Sequence, residues 1–414
     1  MNIPSNISKF VSFIMRNSSS SNSNTILFFI FASVIFVIFF TASSTDYIHE
    51  IFAKKGDSKK NNPTVNDDKL QVQLITEGLN FPTGMSFVNK DSILVIEKNT
   101  GKVNLIKNGE IYSTVLDLDV ANQSERGLLG IAIFNADNMN DDAKSGPQYV
   151  FLFVTETEDK DGGDILGNRL YRYEFVDDQL VNPKLLLDLP FTPGPSHNGG
   201  VIQIGKDNNV YLVAGDLNQK NFPEGNTLAE NMKETKLPDG RGGILRITQD
   251  GDFVKPSIFG DGPMLGYYFG YGIRNSFGIA FDPVTGHLWE TENGSNYGDE
   301  INMILPGFNG GWRKVLGLSD SYSLFKNKFF DPNSLVNLNG RGVYTEPQFV
   351  WNDTIAPTSL SFLDSTELGS EYEHDLFVGS VKQGRIFHFD LNSTRTGLVF
   401  PSEVLADKIA HNDT

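Results

Sequence analysis

The sequence predicts an all-β protein, a β-propeller of the six-bladed type that lacks most of its last blade. Three observations lead to this prediction. Glycine is frequent, with 40 residues among 414, and it recurs in front of alternating apolar segments. Those segments come in groups of three or four that are separated by turn residues. The chain contains five such groups. Repeated three- or four-stranded units with glycine between them are typical of propeller blades.

The five groups share one order: a glycine, an alternating strand, a turn, a second apolar strand that ends in a polar or acidic residue, and a third strand. Alternating apolar and polar residues indicate a half-buried strand. A sandwich or a barrel is the structural alternative, but neither repeats one motif five times. No further strand pair is recognisable after residue 400, so we expect either five blades or an incomplete sixth. The groups lie at Thr83–Ile106, Arg126–Phe175, Gly199–Thr248, Ser276–Ile304 and Thr358–Leu391.

The N-terminal part of the chain is organised differently. Residues 1–25 are a polar leader, and residues 26–43 contain the apolar run Ile26–Phe40. With Thr41 and Ala42 the run is about 17 residues long, which is the short end of what spans a bilayer. Because basic residues precede the run and acidic residues follow it, the sequence predicts a single membrane-spanning helix that anchors the protein in the cell membrane, with the catalytic part outside the cytoplasm. The alternative is a cleaved secretory signal and a secreted protein.

Two further segments follow the apolar run. Residues 44–69 are polar and charged without apolar periodicity, so we expect a flexible linker. Residues 70–414 contain all five strand groups and are predicted to be the propeller domain, incomplete at its C-terminal end.

Charge and cysteine content exclude several classes of function. The chain has 34 basic and 51 acidic residues, a net charge of −17. Nucleic acid is therefore not an expected partner, because binding it requires clusters of basic residues. The chain has no cysteine, which excludes disulfides, thiolate nucleophiles and cysteine-ligated zinc or iron–sulfur sites.

Three glycine-flanked stretches lie at the ends of predicted strands, namely Glu125–Gly127, His197–Gly200 and Tyr271–Asn302. Loops on one face of a propeller converge on its central channel, so we expect an imidazole, an Arg–Asn pair and several carboxylates to meet there. The alternative for His197 is a turn residue that bonds only to its own loop. The alternative for the carboxylates is a role in ending a strand beside a solvated lysine.

The motifs occur in a distinctive order. GLLG is followed by HNGG and a strand that ends in GD, then by YGIRNSFGIAFDP, TENG with DEIN, and GFNGGW. This order resembles the glucose/sorbosone dehydrogenase family, which includes the soluble quinoprotein glucose dehydrogenases and the aldose sugar dehydrogenases. The resemblance covers roughly Ile75–Asp390.

The resemblance implies a six-bladed propeller that binds pyrroloquinoline quinone (PQQ) and Ca²⁺ over its channel. It implies that His197 is the catalytic base, which takes a proton from the sugar hydroxyl. The backbone carbonyls of Gly294 and Ser295 match the family's Ca²⁺ ligands, since this hard cation prefers oxygen. The matching cofactor contacts are Glu125, Arg274, Asn275, Asn293, Asp299 and Lys382.

The function implied by the resemblance is oxidation of an aldose sugar to a lactone, with the electrons passed on to an acceptor that the sequence does not name. Two departures from the family pattern stand out. Ser196 replaces the aspartate that precedes the histidine in the glucose enzymes, and their last blade, with its cofactor-binding arginines, has no counterpart here. Two alternatives remain open: a Ca²⁺-dependent propeller hydrolase such as a lactonase, and a non-catalytic propeller that binds sugars or proteins.

Overall fold

The computed structural model describes residues 63–135, 148–218, 226–233, 235–319 and 331–400, with the short strands 31–32, 34–35 and 409–410. The described residues confirm the all-β prediction, because strands dominate and the helical elements are single 3₁₀ turns. These turns lie at Leu228–Glu230, Leu265–Tyr267, Pro332–Ser334 and Ser370–Tyr372.

The first strands in chain order form a small N-terminal pair and two antiparallel sheets of four consecutive strands. The pair is β1 (Phe31–Ala32) and β2 (Val34–Ile35). Blade one consists of β3 (Pro82–Asn89), β4 (Ser92–Glu97), β5 (Lys102–Lys107) and β6 (Glu110–Asp117). Blade two consists of β7 (Leu128–Asn135), β8 (Gln148–Thr157), β9 (Ile165–Val176) and β10 (Gln179–Leu189).

Three further sheets follow the same plan, and two of them carry added parallel strands. Blade three consists of β11 (Gly199–Ile204), β12 (Val210–Ala214), β13 (Gly243–Ile247) and β14 (Tyr268–Tyr271), extended by β18 (Phe308–Asn309) and β19 (Val343–Tyr344). Blade four consists of β15 (Ser276–Phe281), β16 (Leu288–Glu292), β17 (Asp299–Ile304) and β20 (Phe349–Trp351), extended by β25 (Ile409–Ala410). Blade five consists of β21 (Pro357–Phe362), β22 (Leu376–Ser380), β23 (Arg385–Leu391) and β24 (Leu398–Val399).

The first strand of each blade lies beside the first strand of the next, from β3 through β7, β11 and β15 to β21. Side chains from both faces of each sheet therefore fill apolar layers between neighbouring blades. One layer joins blades one and two through residues such as Leu94 and Leu152, and another joins blades four and five around Trp289 and Leu376. This stacking of blades is what brings the ends of the inner strands together.

The prediction of an N-terminal membrane-spanning helix is wrong, and the membrane location inferred from it is wrong with it. The described residues contain no helix of the length and apolar character that crossing a bilayer requires. Most of residues 26–43 lies outside the described residues, and the two parts described there, β1 and β2, are strands. An apolar run rich in Phe, Ile and Val suits a strand as well as a helix, and its hydrophobicity alone does not separate the two.

The predicted leader and most of the predicted linker also lie outside the described residues, as do residues 401–408 and 411–414. The last part of the linker is described, and it lies against blade five. The Tyr372 hydroxyl donates to the Asp67 carboxylate over 2.6 Å, and Lys69 forms an ion pair with Glu371 over 3.0 Å. The incomplete last blade stays a prediction.

Gly130 in β7 marks the tightest approach between blades two and three. A Cβ at this position would lie 1.9 Å from the carbonyl oxygen of Gly200, so a methyl group has no room unless the backbone moves. We expect Gly130→Ala to lower the free energy of unfolding by about 1–3 kcal/mol, as overpacking does. Urea denaturation measures this change. Glu110→Ala, on the exposed outer strand β6, is the control and should change stability by less than about 0.5 kcal/mol. Equal stability of Gly130→Ala and wild type would contradict the close approach.

Candidate active site

Antiparallel pairing places two kinds of loop at one end of every blade. The start of the first strand lies opposite the end of the second, as in the pairs Gly199–Ala214, Ser276–Glu292 and Pro357–Ser380. The loop before each first strand and the loop after each second strand therefore share one face, which we call the mouth. The predicted site residues in these loops lie at the mouth, because they precede β7, β11 and β15 or follow β16 and β22.

His197 is buried at the mouth and held by a carboxylate. Its Nδ1 lies 2.5 Å from Oδ1 of Asp216, which is fully buried and follows β12. The other carboxylate oxygen of Asp216 accepts a hydrogen bond from Trp312 Nε1 over 2.9 Å. An ionised carboxylate can only accept, so Nδ1 carries the proton and Nε2 presents its lone pair. This arrangement orients the imidazole as a base.

Arg274 contacts the free nitrogen of that imidazole. Its Nη2 lies 3.0 Å from His197 Nε2, and its Nη1 donates to the backbone oxygen of Asn293 over 2.6 Å. The guanidinium carbon lies 5.5 Å from the centre of the Trp312 ring, within the range of a cation–π contact. Because a guanidinium only donates, His197 Nε2 must be the acceptor, which agrees with the protonated Nδ1.

Two glutamates fix the backbone around these side chains. Glu125 accepts the His197 backbone N–H over 2.6 Å and the Asn275 side-chain amide over 3.2 Å. Glu292, at the end of β16, accepts the backbone N–H groups of Arg274 and Asn275 over 2.8 and 2.6 Å. Burial raises the pKa of Glu292 to about 7, although these hydrogen bonds oppose the shift. The carboxylates thus tie blades two, three and four together at the mouth.

Asp299 and Lys382 belong to a neighbouring part of the mouth. The Asp299 carboxylate accepts backbone N–H groups from Gly294 over 2.7 Å, from Ile355 over 2.6 Å and from Ala356 over 2.8 Å. Burial raises the pKa of Asp299 to about 6. Lys382 is exposed, and its ammonium donates to the Thr354 carbonyl over 2.6 Å. Both side chains therefore hold the loop before β21.

The predicted site residues thus fall into two groups. Glu125, His197, Arg274, Asn275 and Asn293 form one connected network. Gly294 follows Asn293 in the chain, and its backbone N–H donates to Asp299. The second group, Ser295 and Lys382, makes no direct contact with His197 in the described residues. Asp216 and Glu292 were not predicted as site residues, although the recurrent polar or acidic residue at the end of a second strand was the available signal.

Several buried polar atoms at the mouth have no partner among the described residues. They are both side-chain amide atoms of Asn198, Oδ1 of Asn275 and Nε of Arg274. Buried polar groups are normally hydrogen-bonded, so this cluster fits a polar ligand better than an empty scaffold. No donor in the described chain reaches the carbonyl oxygens of Gly294 and Ser295, which leaves both oxygens available to a hard cation.

Ser196 marks the departure from the family pattern noted above. Its hydroxyl lies 3.0 Å from the hydroxyl of Ser124, so the position before His197 is occupied by a neutral contact between blades two and three. The negative charge that an aspartate would place there is absent from this position.

Comparison with known proteins decides the family. The model of the Glucose / Sorbosone dehydrogenase family matches residues 79–410. The chain belongs to this family. The resemblance inferred from the motifs is therefore confirmed. The chain is 27% identical over 393 residues to Quinoprotein glucose dehydrogenase B of Acinetobacter calcoaceticus, with 79% of this chain and 78% of that protein covered.

Solved structures of sugar dehydrogenases share the fold. A glucose dehydrogenase-like oxidoreductase of Thermus thermophilus is 25% identical, with a TM-score of 0.60 over 79% of this chain and 84% of that one. The PQQ-bound aldose sugar dehydrogenase of Streptomyces coelicolor is 24% identical, with a TM-score of 0.54 over 77% of this chain and 80% of that one. The propeller architecture predicted from the repeats therefore agrees with that of known family members.

Glu230 is a fully buried acid close to Asp216. One of its oxygens accepts the Thr227 backbone N–H over 2.6 Å, and the other has no partner among the described residues. Burial raises the pKa of Glu230 to about 8, and the negative charge of Asp216 adds to the shift. The folded protein therefore holds a proton on Glu230 at pH values at which the unfolded chain, with a pKa near 4.5, has lost it.

This difference predicts that the stabilising contribution of Glu230 is present at low pH and is lost as pH rises towards 8. For one proton, the free energy of unfolding falls by up to about 1.4 kcal/mol per pH unit between roughly pH 5 and pH 8. Glu230→Gln mimics the protonated acid, so its stability should fall less steeply over this range. Denaturant unfolding at pH 5, 6, 7 and 8 tests this, with Glu110→Gln as the exposed control. Parallel profiles for wild type and Glu230→Gln would contradict the shifted pKa.

Proposed function

We propose that the protein oxidises aldose sugars to lactones with PQQ as the electron acceptor and Ca²⁺ as a second cofactor. The observation that carries the proposal is the Asp216–His197–Arg274 arrangement, in which Asp216 orients a buried imidazole whose Nε2 accepts a hydrogen bond from a guanidinium. Family membership supports the same reaction class. A propeller that only binds a ligand does not need an imidazole oriented in this way.

His197 acts as the general base in this proposal. Oxidation of the sugar removes a proton from the anomeric hydroxyl group and a hydride from the anomeric carbon. Nε2 of His197 takes the proton. The positive charge that forms on the imidazole is stabilised by Asp216, which is 2.5 Å from Nδ1 and fully buried. Asp216 also keeps the proton on Nδ1 before the reaction, so that Nε2 is the nitrogen that can accept.

Arg274 has two roles in the proposed mechanism. In the described structure it donates to His197 Nε2 and thereby occupies the lone pair that the reaction needs. A carboxylate or quinone oxygen of a bound ligand competes for the same guanidinium, because charge-assisted contacts to oxygen are stronger than a contact to a neutral ring nitrogen. Ligand binding would then release Nε2 for catalysis.

The polar atoms without partners identify the residues that would hold the cofactors. Arg274 and Asn275, which carry such atoms, would contact PQQ, and the carbonyl oxygens of Gly294 and Ser295 would bind Ca²⁺. Glu125 matches a further cofactor contact of the family. When bound, PQQ supplies a two-electron acceptor for the hydride, and Ca²⁺ supplies a positive charge that polarises it. The protein's own contribution is to orient these groups and to remove the proton.

Dye-linked oxidation tests the proposal directly. Purified protein is incubated with PQQ and Ca²⁺, and reduction of an artificial electron acceptor is followed with a panel of aldoses. We expect sugar-dependent reduction that requires PQQ and disappears when EDTA removes Ca²⁺. Hydrolysis of a lactone without dye reduction would support the hydrolase instead. Binding of sugar without either reaction would support a non-catalytic propeller.

The role of His197 is tested by His197→Gln. The side chain remains polar and of similar size but cannot accept a proton as an imidazole does, so we expect turnover to fall by at least about 100-fold. PQQ binding, measured by quenching of tryptophan fluorescence, should remain within about threefold of wild type. Loss of binding together with turnover would show that His197 holds the cofactor rather than serving as the base.

A further inference from the structure

Lys98 is a buried cation at the mouth, and the sequence did not single it out. It directly follows β4, so it lies in the loop after the second strand of blade one, as Asp216 does in blade three, Asn293 in blade four and Lys382 in blade five. In the antiparallel pair of β3 and β4, Pro82 at the start of β3 lies opposite Glu97 at the end of β4. Lys98 is the next residue. The same geometry that brings Asp216 to the site therefore brings Lys98 to the mouth.

The surroundings of Lys98 leave its charge largely uncompensated. The residue is only 7% exposed, and its ammonium donates to the neutral Asn99 side-chain oxygen over 2.8 Å. The ammonium also lies 5.4 Å from the centre of the Phe81 ring. In the part of the chain that the structure describes, Lys98 forms no salt bridge, and Glu125 is the acidic group whose charge acts on it.

The backbone around Lys98 is fixed against the loop that carries Glu125. The Lys98 carbonyl accepts the Leu128 N–H over 3.0 Å. A Cβ on Gly127 would lie 2.7 Å from Cγ of Lys98, so the glycine of the ERGLLG stretch makes room for the lysine stem. Glu125, two residues earlier, accepts the backbone N–H of His197. Lys98 is thus held against the loop that carries Glu125.

A buried ammonium without a carboxylate partner is unfavourable by itself, because desolvation penalises the charge. Burial accordingly lowers the pKa of Lys98 to about 8, and the charge of Glu125 only partly opposes this. An anion at the mouth would compensate the charge. Glu125 forms no salt bridge with Lys98 among the described residues, and its Oε2 accepts hydrogen bonds from His197 and Asn275 instead.

We propose that Lys98 forms an anion subsite at the mouth and binds a carboxylate of the ligand. Two sources of this carboxylate are compatible with the site: the PQQ cofactor, which carries three, and an acidic sugar substrate such as a uronic acid. The inference rests on the proposed function for its first source only. The second source is tested without any quinone.

The test compares Lys98→Met, which keeps the apolar stem, with Lys98→Arg, which keeps the charge. Lys90→Met is the matched control, because Lys90 is exposed in the β3–β4 turn at the opposite end of the same blade. PQQ binding is measured by fluorescence quenching in the presence of Ca²⁺, and binding of glucuronate and glucose to the quinone-free protein is measured by calorimetry. Removing a charged partner should weaken carboxylate binding about 10- to 100-fold.

We expect Lys98→Met to weaken the binding of PQQ or of glucuronate about 10- to 100-fold. Lys98→Arg should keep the affinity within about threefold of wild type, and Lys90→Met should leave it unchanged. The trimethyl ester of PQQ should bind wild type and Lys98→Met alike if the quinone is the source. Glucose binding should be insensitive to the substitution in every case. The unfolding midpoint of Lys98→Met should be equal to or above that of wild type, which separates a ligand-binding role from a structural one.

The measurements separate the proposed function from the role of Lys98. Failure of wild type to bind PQQ counts against the proposed function, and the glucuronate measurement then decides the role of Lys98 alone. Unchanged affinity of Lys98→Met for both PQQ and glucuronate would overturn the anion subsite.

Discussion

The site depends on one constraint: polar groups buried at the mouth must find hydrogen-bond partners within their own blade and in neighbouring blades. His197 in blade three bonds to Asp216 in its own blade, to Arg274 before blade four and, through its backbone, to Glu125 before blade two. Each of these bonds would be costly to leave unmade in a buried position. The loops at the mouth are therefore held in one arrangement relative to one another, and the catalytic geometry follows from this mutual pairing.

Buried carboxylates give this arrangement its electrostatic character. Burial raises the pKa values of Glu290, Glu292 and Glu300 in blade four, and Asn302 donates to both Glu290 and Glu300 over 3.0 Å. Backbone N–H groups supply most of the remaining compensation. Acidic side chains thus serve as hydrogen-bond partners that position loops, and burial disfavours their charged form. Arg274 and Lys98 are the positive groups for which we propose ligand contacts.

Repetition of the blade places the loops of several blades around one site. Each blade buries its apolar faces against its neighbours, which leaves the ends of the inner strands as the places where polar residues gather. Family membership and the shared fold of known sugar dehydrogenases are consistent with this division, in which strands build the scaffold and loops carry the chemistry.

The sequence by itself determined the all-β class, the five strand groups and the connected residues Glu125, His197, Arg274 and Asn275, because strand periodicity and glycine-flanked motifs are local features. The described parts of the segment 26–43, Phe31–Ala32 and Val34–Ile35, are strands where a membrane-spanning helix was predicted, since hydrophobicity alone does not separate a helix from a strand. Only the tertiary structure decided that Asp216 orients His197 and that Lys98 lies at the mouth. Those roles arise from contacts between distant segments, such as Trp312 with Asp216 over 96 positions, and such pairings leave no periodic signal in a single sequence.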